Sequence, residues 1–174
     1  GSGKSTICKL LYRSLGTYSG NIEFNNTSEC DYSLKAIREN ILYVGQNEKL
    51  FTGTIRENIE CFRPVEEETF KDICKICRLD SIVSGRPNRF NTVINASLNN
   101  LSGGEKQRII LARALLKKAK IIILDEALSE VNVTMEKEIL DDIFVYFKDC
   151  TLIYVTHKNV DDKFEHIIRL EQSC

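Results

Sequence analysis

The chain begins with GSGKST, which matches the second half of the phosphate-binding pattern G-x-x-x-x-G-K-[ST]. In that pattern the glycines let backbone N–H groups approach phosphate oxygens, and the following helix points its positive end at the same anion. We expect the Lys4 ammonium near the β- and γ-phosphates and the Ser5 hydroxyl on Mg²⁺. A flexible start or an expression remnant is the plainer alternative, because the first glycine of the pattern is absent. The residues predicted to bind phosphate are Gly1, Ser2, Gly3, Lys4, Ser5 and Thr6.

Two acids follow an apolar run at residues 121–126, which read IIILDE. Such a run is typical of a buried parallel strand, and open α/β sheets bind their ligands at the carboxyl ends of the strands. Asp125 therefore suits a carboxylate that holds Mg²⁺, either directly or through a bound water. Glu126 suits a general base that orients water against a γ-phosphate. The alternative is a solvated pair of acids at a strand end.

A second helix start able to face an anion lies at residues 101–105, which read LSGGE. Ser102 can cap the following helix, and Gly103 and Gly104 leave its first backbone N–H groups uncovered. The plainer alternative is a well-capped helix after a loop. Two phosphate-facing helix starts in one small chain indicate either two nucleotides or a nucleotide held by another copy of the chain.

Alternating helices and strands after residue 104 predict the scaffold for these side chains, a doubly wound α/β layer. We expect one domain over residues 1–174, in which residues 47–103 form an inserted, more helical subdomain with a loop at 84–100. The predicted helices cover residues 4–15, 51–62, 66–79, 104–118 and 135–149. The predicted strands cover residues 20–24, 41–45, 121–125, 151–157 and 166–170.

The composition excludes several classes of protein. With 174 residues, 43% of them hydrophobic and 28% charged, the chain can form one soluble domain with a sizeable core. A net charge of −1 gives no electrostatic case for nucleic-acid binding. The longest apolar runs are far shorter than the roughly 18–20 residues that span a bilayer. The first residues do not read as a secretory signal.

The seven cysteines show no disulfide framework, and we interpret them as reduced thiols. Cys74 and Cys77 form a C-x-x-C pair that shares one face of a predicted helix. A metal site would need two more ligands at matching spacing, and the sequence shows none. Partly buried helical thiols are therefore the favoured interpretation.

Taken in chain order, five segments resemble the motifs of the nucleotide-binding domain of ABC transporters. They are GSGKST at 1–6, VGQNEKLFTGTIREN at 44–58, LSGGEKQR at 101–108, IIILDE at 121–126 and VTHK at 155–158. The resemblance runs over nearly the whole chain. It implies a P-loop NTPase fold of the ABC ATPase type, with a mostly parallel sheet and the inserted helical subdomain. It also implies ATP and Mg²⁺ as ligands.

The resemblance also assigns roles to residues. Gln46 would reach Mg²⁺ and the attacking water, and its loop would touch a transmembrane partner. His157 would contact the γ-phosphate and stabilise the transition state. The implied catalytic set is Glu126, His157, Gln46 and Lys4, with Mg²⁺ on Ser5, Gln46 and Asp125. The second nucleotide-contacting set is Ser102, Gly103, Gly104 and Glu105.

Two copies would pair head to tail, so that each ATP lies between residues 1–6 of one copy and residues 102–105 of the other. The Gln46 loop resembles exporter-type domains, which are often fused behind membrane helices and lie at the cytoplasmic face of the cell membrane. By the same resemblance we expect a chain truncated at both ends, with weak or no turnover alone. The alternatives are a degenerate partner in a heterodimeric transporter and a soluble ABC ATPase of DNA repair or translation.

The sequence departs from the family's pattern at three places. Residues 95–98 read NASL where exporters carry Gly-Glu-x-Gly, which puts the usual coupling contact to the membrane domain in question. Asn132 stands where the loop after the IIILDE strand normally carries an aspartate, which predicts weaker communication between the ATP sites. Glu105 replaces the commoner glutamine, a change that many exporters tolerate.

Overall fold

The computed structural model describes residues 2–95, 100–158 and 163–170. The helices in these residues are α1 (Lys4–Leu11), α2 (Leu34–Asn40), α3 (Ile55–Glu60), α4 (Glu67–Ile76), α5 (Asp80–Val83), α6 (Gly103–Leu115) and α7 (Val133–Tyr146). The strands are β1 (Glu23–Phe24), β2 (Thr27–Ser28), β3 (Ile41–Val44), β4 (Gly53–Thr54), β5 (Val93–Ile94), β6 (Ile121–Asp125) and β7 (Thr151–Val155). No helix in the described part of the chain has the length and hydropathy of a bilayer span.

A three-stranded parallel sheet forms the centre of the fold, with β6 between β3 and β7. Val44 at the end of β3 lies opposite Leu124, and Asp125 at the end of β6 lies opposite Val155. Because the strands run in the same direction and end at nearly the same level, the segments that follow them emerge along one edge of the sheet. The predicted α/β fold with a mostly parallel sheet is confirmed.

The two faces of the sheet pack against different helices, because side chains alternate between faces along a strand. Leu42 and Leu124 belong to the larger apolar cluster, together with residues of α3, α4, α5, α6 and α7. Ile123 points to the opposite face, where it joins Cys8 of α1 and Ile37 of α2. A strand covered on both faces explains why β6 reads as an unbroken apolar run.

Residues 47–103 contribute α3, α4 and α5 and the antiparallel pair β4–β5, in which Gly53 lies opposite Ile94. Buried residues of this stretch, such as Ile59 and Ile73, belong to the same apolar cluster as Leu42 of the sheet. Helices α3 and α4 pack against α6, which in turn contacts β3 of the sheet.

Two helices end earlier than predicted, and in each case a residue just beyond the helix has a left-handed backbone. The helix predicted over 4–15 ends at Leu11, and Arg13 beyond it has φ 49°. The helix predicted over 51–62 begins only at Ile55, because Thr54 caps it in a capping box with Glu57. It ends before Cys61, which has φ 51°.

The predicted strand at 166–170 is wrong, since these residues pair with no strand in the described part of the chain. Ile168 is 83% exposed, so its apolar side chain joins no core. Apolar residues alone do not make a strand, because its backbone groups need a pairing partner.

Cys74 and Cys77 are both buried and free. Cys74 lies in α4, and Cys77 is the first residue after that helix. Burial raises the pKa of the Cys74 thiol to about 12, which disfavours the thiolate that metal binding requires. No cluster of three or more potential metal-ligating side chains occurs within the described ranges. The interpretation as buried helical thiols agrees with these positions.

Candidate functional site

The backbone turns left-handed directly before α1. Gly3 has φ 80°, a left-handed conformation that glycine adopts without steric cost. Nothing lies within 4 Å of the position where a Cβ on Gly3 would stand, so the backbone angle, and not crowding, requires glycine. Lys4 Nζ donates to Ser2 Oγ over 2.7 Å. Gly1 lies outside the described residues.

Asp125 joins the helix start to the end of the central strand. Ser5 Oγ donates to Asp125 Oδ1 over 2.9 Å. Tyr43 on β3 donates from its hydroxyl to Asp125 Oδ2, also over 2.9 Å. Asp125 is only 2% exposed, and a buried carboxylate requires such donors. The Ser5 hydroxyl and the Asp125 carboxylate therefore present adjacent oxygens at the start of α1.

Burial raises the pKa of Tyr43 well above its ordinary value of 10.0, and the hydrogen bond to Asp125 adds to the rise. Because the folded-state pKa is the higher one, the stabilisation from Tyr43 is fully present below about pH 10 and is lost as the pH rises beyond it. Tyr43→Phe is expected to lower the free energy of unfolding by about 1–3 kcal/mol at neutral pH, since Asp125 loses a buried donor.

Urea unfolding of wild type and Tyr43→Phe, at neutral pH and above about pH 10, tests this expectation. The stability difference should shrink at the alkaline pH. A difference that stays constant would contradict the assigned role of Tyr43.

A second cluster gathers around Glu126, where β3, β6 and β7 end. Gln46 Nε2 donates to Glu126 Oε2 over 2.9 Å. His157 Nε2 lies 2.6 Å from Glu126 Oε1. The Glu126 backbone N–H donates to the Val155 carbonyl over 3.0 Å, and Glu126 itself has φ 55°. The left-handed turn directly after β6 thus places this carboxylate between the side chains that follow β3 and β7.

The exposure of this cluster suits a reaction with water. The His157 side chain is 69% exposed, whereas that of Glu126 is 18% exposed. A carboxylate offers about four lone-pair sites, so the two contacts leave acceptor capacity for a water molecule. The arrangement can hold a carboxylate ready to accept a proton at the open edge of the sheet.

The LSGGE segment forms a separate helix start, as its residues predict. Ser102 Oγ accepts from the Glu105 N–H over 3.2 Å, and Glu105 Oε2 accepts from the Ser102 N–H over 2.8 Å. This capping box confirms Ser102 as the cap of α6. A Cβ on Gly103 would stand 1.6 Å from the Glu130 carboxylate, and one on Gly104 would stand 2.8 Å from the Glu130 carbonyl oxygen.

The structure does not bring the two helix starts of one chain together. α1 contacts β6, whereas α6 contacts α3, α4 and β3. The side chain of Lys4 bonds to Ser2 and that of Ser5 to Asp125, whereas the side chains of Ser102 and Glu105 bond each other's backbone N–H groups. Two separate anion-facing ends are what a nucleotide shared between copies would require.

Three residues of the site were not predicted from the sequence. Tyr43 reaches Asp125, and Gln107 of α6 donates to Ser129 Oγ over 2.9 Å. Lys158 forms an ion pair with Glu136 of α7. Each lies inside or directly beside one of the five motifs, and this position was the only sequence feature that could have pointed to it.

Asn132, the departure from the family's aspartate, caps α7. Its Oδ1 accepts from the Met135 N–H over 2.9 Å. Asparagine and aspartate are similar in this role. The departure therefore preserves the local helix start. The NASL departure falls largely on residues 96–98, which lie outside the described residues.

Asn132→Ala is expected to lower the free energy of unfolding by about 1 kcal/mol, because it removes the cap of α7. Asn132→Asp is the matched control, which should keep the cap and gain a few tenths of a kcal/mol from the helix dipole. Thermal unfolding of the three proteins measures both effects. Equal stability of Asn132→Ala and wild type would contradict the capping role.

Comparison with known proteins agrees with this geometry. A family model described as ABC transporter matches residues 1–129. The chain is 37% identical over 176 residues to the lactococcin-G-processing and transport ATP-binding protein LagD of Lactococcus lactis subsp. lactis, covering 99% of this chain and 25% of that protein. It is 38% identical over 160 residues to the microcin-J25 export ATP-binding/permease protein McjD of Escherichia coli, covering 91% of this chain and 27% of that protein.

A solved structure of a bacterial Atm1-family ABC exporter with ATP bound matches with a TM-score of 0.82 at 28% identity, over 90% of this chain and 28% of that chain. The chain thus spans about a quarter of the length of these relatives. With most of its length matched by the family model, the chain belongs to the ABC transporter family and carries that family's ATP-binding domain.

Proposed function

We propose that this domain powers export of a substrate across a membrane by hydrolysing MgATP at the edge where β3, β6 and β7 end. The observation that carries the proposal is the contact of Gln46 and His157 with Glu126, next to the pair Ser5–Asp125. The printed names of the relatives, which are transport and export ATP-binding proteins, support the export role.

The start of α1 would bind the phosphates. Backbone N–H groups of residues 1–6 would face the phosphate oxygens, and Lys4 would exchange its contact with Ser2 for the β- and γ-phosphates. Asp125 and Ser5 offer two adjacent oxygens, and the Gln46 side chain lies at the same edge. This small oxygen set fits Mg²⁺, which takes one or two protein ligands together with substrate phosphates and water. When bound, Mg²⁺ supplies charge neutralisation at the phosphate oxygens.

Glu126 would orient a water molecule and accept its proton as the water oxygen attacks the γ-phosphorus. The bond from the γ-phosphorus to the bridging oxygen breaks, so the products are ADP and inorganic phosphate. Gln46 would position the same water. His157 would hold the Glu126 carboxylate in place and donate to a γ-phosphate oxygen.

A second copy would complete each site. Ser102, Gly103, Gly104 and Glu105 of one copy would cover the ATP bound at residues 1–6 of the other. Head-to-tail pairing is supported by the separation of the two helix starts within one chain. ATP would hold the pair together, and its hydrolysis would release it.

The membrane partner would be transmembrane domains fused in the same polypeptide, as the name "ATP-binding/permease" of one relative suggests. We further propose that residues 47–103 act as a helical subdomain, and that the loop that begins at Gln46, directly before it, meets those domains. The site would then lie at the cytoplasmic face of the cell membrane.

Lys4→Ala in the full-length natural polypeptide is expected to reduce ATP turnover by at least about 100-fold, because the γ-phosphate loses its point charge in the transition state. Lys9→Ala is the matched control, since it removes the same charge from an exposed position on the same helix. Steady-state phosphate release and transport into inside-out vesicles measure the result. Turnover and transport that survive Lys4→Ala would overturn the proposed function.

A further inference from the structure

Lys158 directly follows His157 and makes three contacts with two parts of the fold, the loop after β6 and α7. Its Nζ donates to the Val131 carbonyl over 3.2 Å and to the Leu128 carbonyl over 3.4 Å. The same ammonium forms an ion pair with Glu136 of α7. An ammonium has three donors and no acceptor, so these three contacts use its full capacity.

Glu136 is a buried anchor for this ammonium. It is 6% exposed, and its Oε1 accepts from the Tyr154 hydroxyl over 2.5 Å. A carboxylate this deeply buried needs both a positive partner and a hydrogen bond, and Lys158 and Tyr154 supply them. Lys158 is therefore paired with a buried carboxylate of α7, which Tyr154 of β7 also contacts.

The carbonyls that Lys158 reaches belong to the loop at residues 127–131, which we call the post-β6 loop. This loop begins directly after Glu126. On its other side, Gln107 of α6 donates to Ser129 Oγ over 2.9 Å and accepts from the Glu130 N–H over 2.8 Å. The post-β6 loop thus lies between Lys158 and the helix that begins with the LSGGE segment.

We propose that Lys158 is a positioning residue for ATP hydrolysis, which ties the His157 segment to the post-β6 loop and so holds His157 against Glu126. His157 is exposed, and its contact with Glu126 joins two segments that leave different strands. Lys158 supplies a second, more buried connection between the same two segments, one residue away. This inference rests on the proposed roles of Glu126 and His157.

Lys158→Met tests the connection, because methionine keeps the apolar stem and removes all three donors. We expect kcat for ATP hydrolysis to fall by about 10- to 100-fold, since a catalytic contact that is about 1 Å out of place is that costly. The KM for ATP is expected to stay within about twofold, because the phosphate-binding residues of α1 are untouched. Measurements use the full-length polypeptide.

Loss of Lys158 alone also leaves Glu136 buried without a positive partner, which would destabilise the fold. The double variant Lys158→Met/Glu136→Gln removes both charges, while a glutamine can still accept from Tyr154. We expect its thermal midpoint to recover toward wild type while kcat stays low. If kcat returns together with stability, Lys158 serves only to neutralise Glu136 and the inference is overturned. The double variant provides this test even if Lys158→Met alone does not fold.

Lys163→Met is the matched control, since Lys163 also pairs with an acid of α7, Asp141, at an exposed position. It is expected to keep wild-type kcat, and a loss equal to that of Lys158→Met would overturn the specific role of Lys158. If wild type hydrolyses ATP and Lys158→Met is equally active, this inference alone is refuted. Wild type without hydrolysis refutes the proposed function, and this inference with it.

Discussion

Glu126→Gln is expected to leave MgATP binding intact and to reduce ATP turnover by about 10²- to 10⁴-fold, the usual contribution of a positioned general base. Glutamine has the same shape as glutamate and can still bond to Gln46 and His157. Its amide cannot accept the proton of the attacking water at neutral pH. The variant should therefore bind nucleotide and accumulate as an ATP-bound pair.

Nucleotide binding, turnover and particle mass, measured on the same preparation, test this expectation. Glu48→Gln is the matched control, because Glu48 is an exposed acid two residues beyond Gln46. It should retain wild-type turnover. Unchanged hydrolysis in Glu126→Gln would remove Glu126 as the base, whereas lost binding would assign it to holding nucleotide.

Mixing two inactive variants is expected to restore hydrolysis if ATP is shared between copies. Lys4→Ala disables the phosphate loop, and Gly103→Asp places a carboxylate where the γ-phosphate would meet α6. The nearest atoms to the new Cβ are those of the Glu130 carboxylate, the far end of a side chain of the post-β6 loop. A head-to-tail pair of one copy of each variant contains one site with both changes and one site with neither.

Random exchange in an equal mixture should restore about a quarter of wild-type turnover, since half of the pairs are mixed and each has one intact site of two. Mixing Lys4→Ala with a Lys4→Ala/Gly103→Asp double variant creates no intact site and is the control. Wild-type turnover per chain should also rise with protein concentration. If the mixture regains no ATP turnover and wild-type turnover per chain is independent of concentration, head-to-tail pairing is refuted.

The members of the cluster around Glu126 each follow a strand, and the family resemblance was what pointed to Gln46 and His157. Gln46 comes two residues after β3, Glu126 one residue after β6 and His157 two residues after β7. Parallel strands place their carboxyl ends at one edge, so these three strands bring the residues that follow them together. The apolar run before Asp125 likewise indicated a strand covered on both faces.

The hydrogen bond from Tyr43 to Asp125 could not be predicted, because no motif of the sequence includes Tyr43. Tyr43 and Asp125 are 82 positions apart, and their hydrogen bond depends on the register between β3 and β6. The predicted strand at 166–170 failed for the same kind of reason, because pairing depends on a neighbour and not on the segment itself. Local propensity cannot report whether that neighbour is present.

The sequence by itself determined which residues can do chemistry: the glycines and Lys4 at the helix start, the acids after β6, and a second helix start at Ser102. It did so because phosphate binding and helix capping depend on neighbouring residues. Tertiary structure alone decided that Tyr43 supports Asp125 and that Lys158 reaches the post-β6 loop. These contacts depend on strand register and helix packing, which bring together side chains that no local pattern connects.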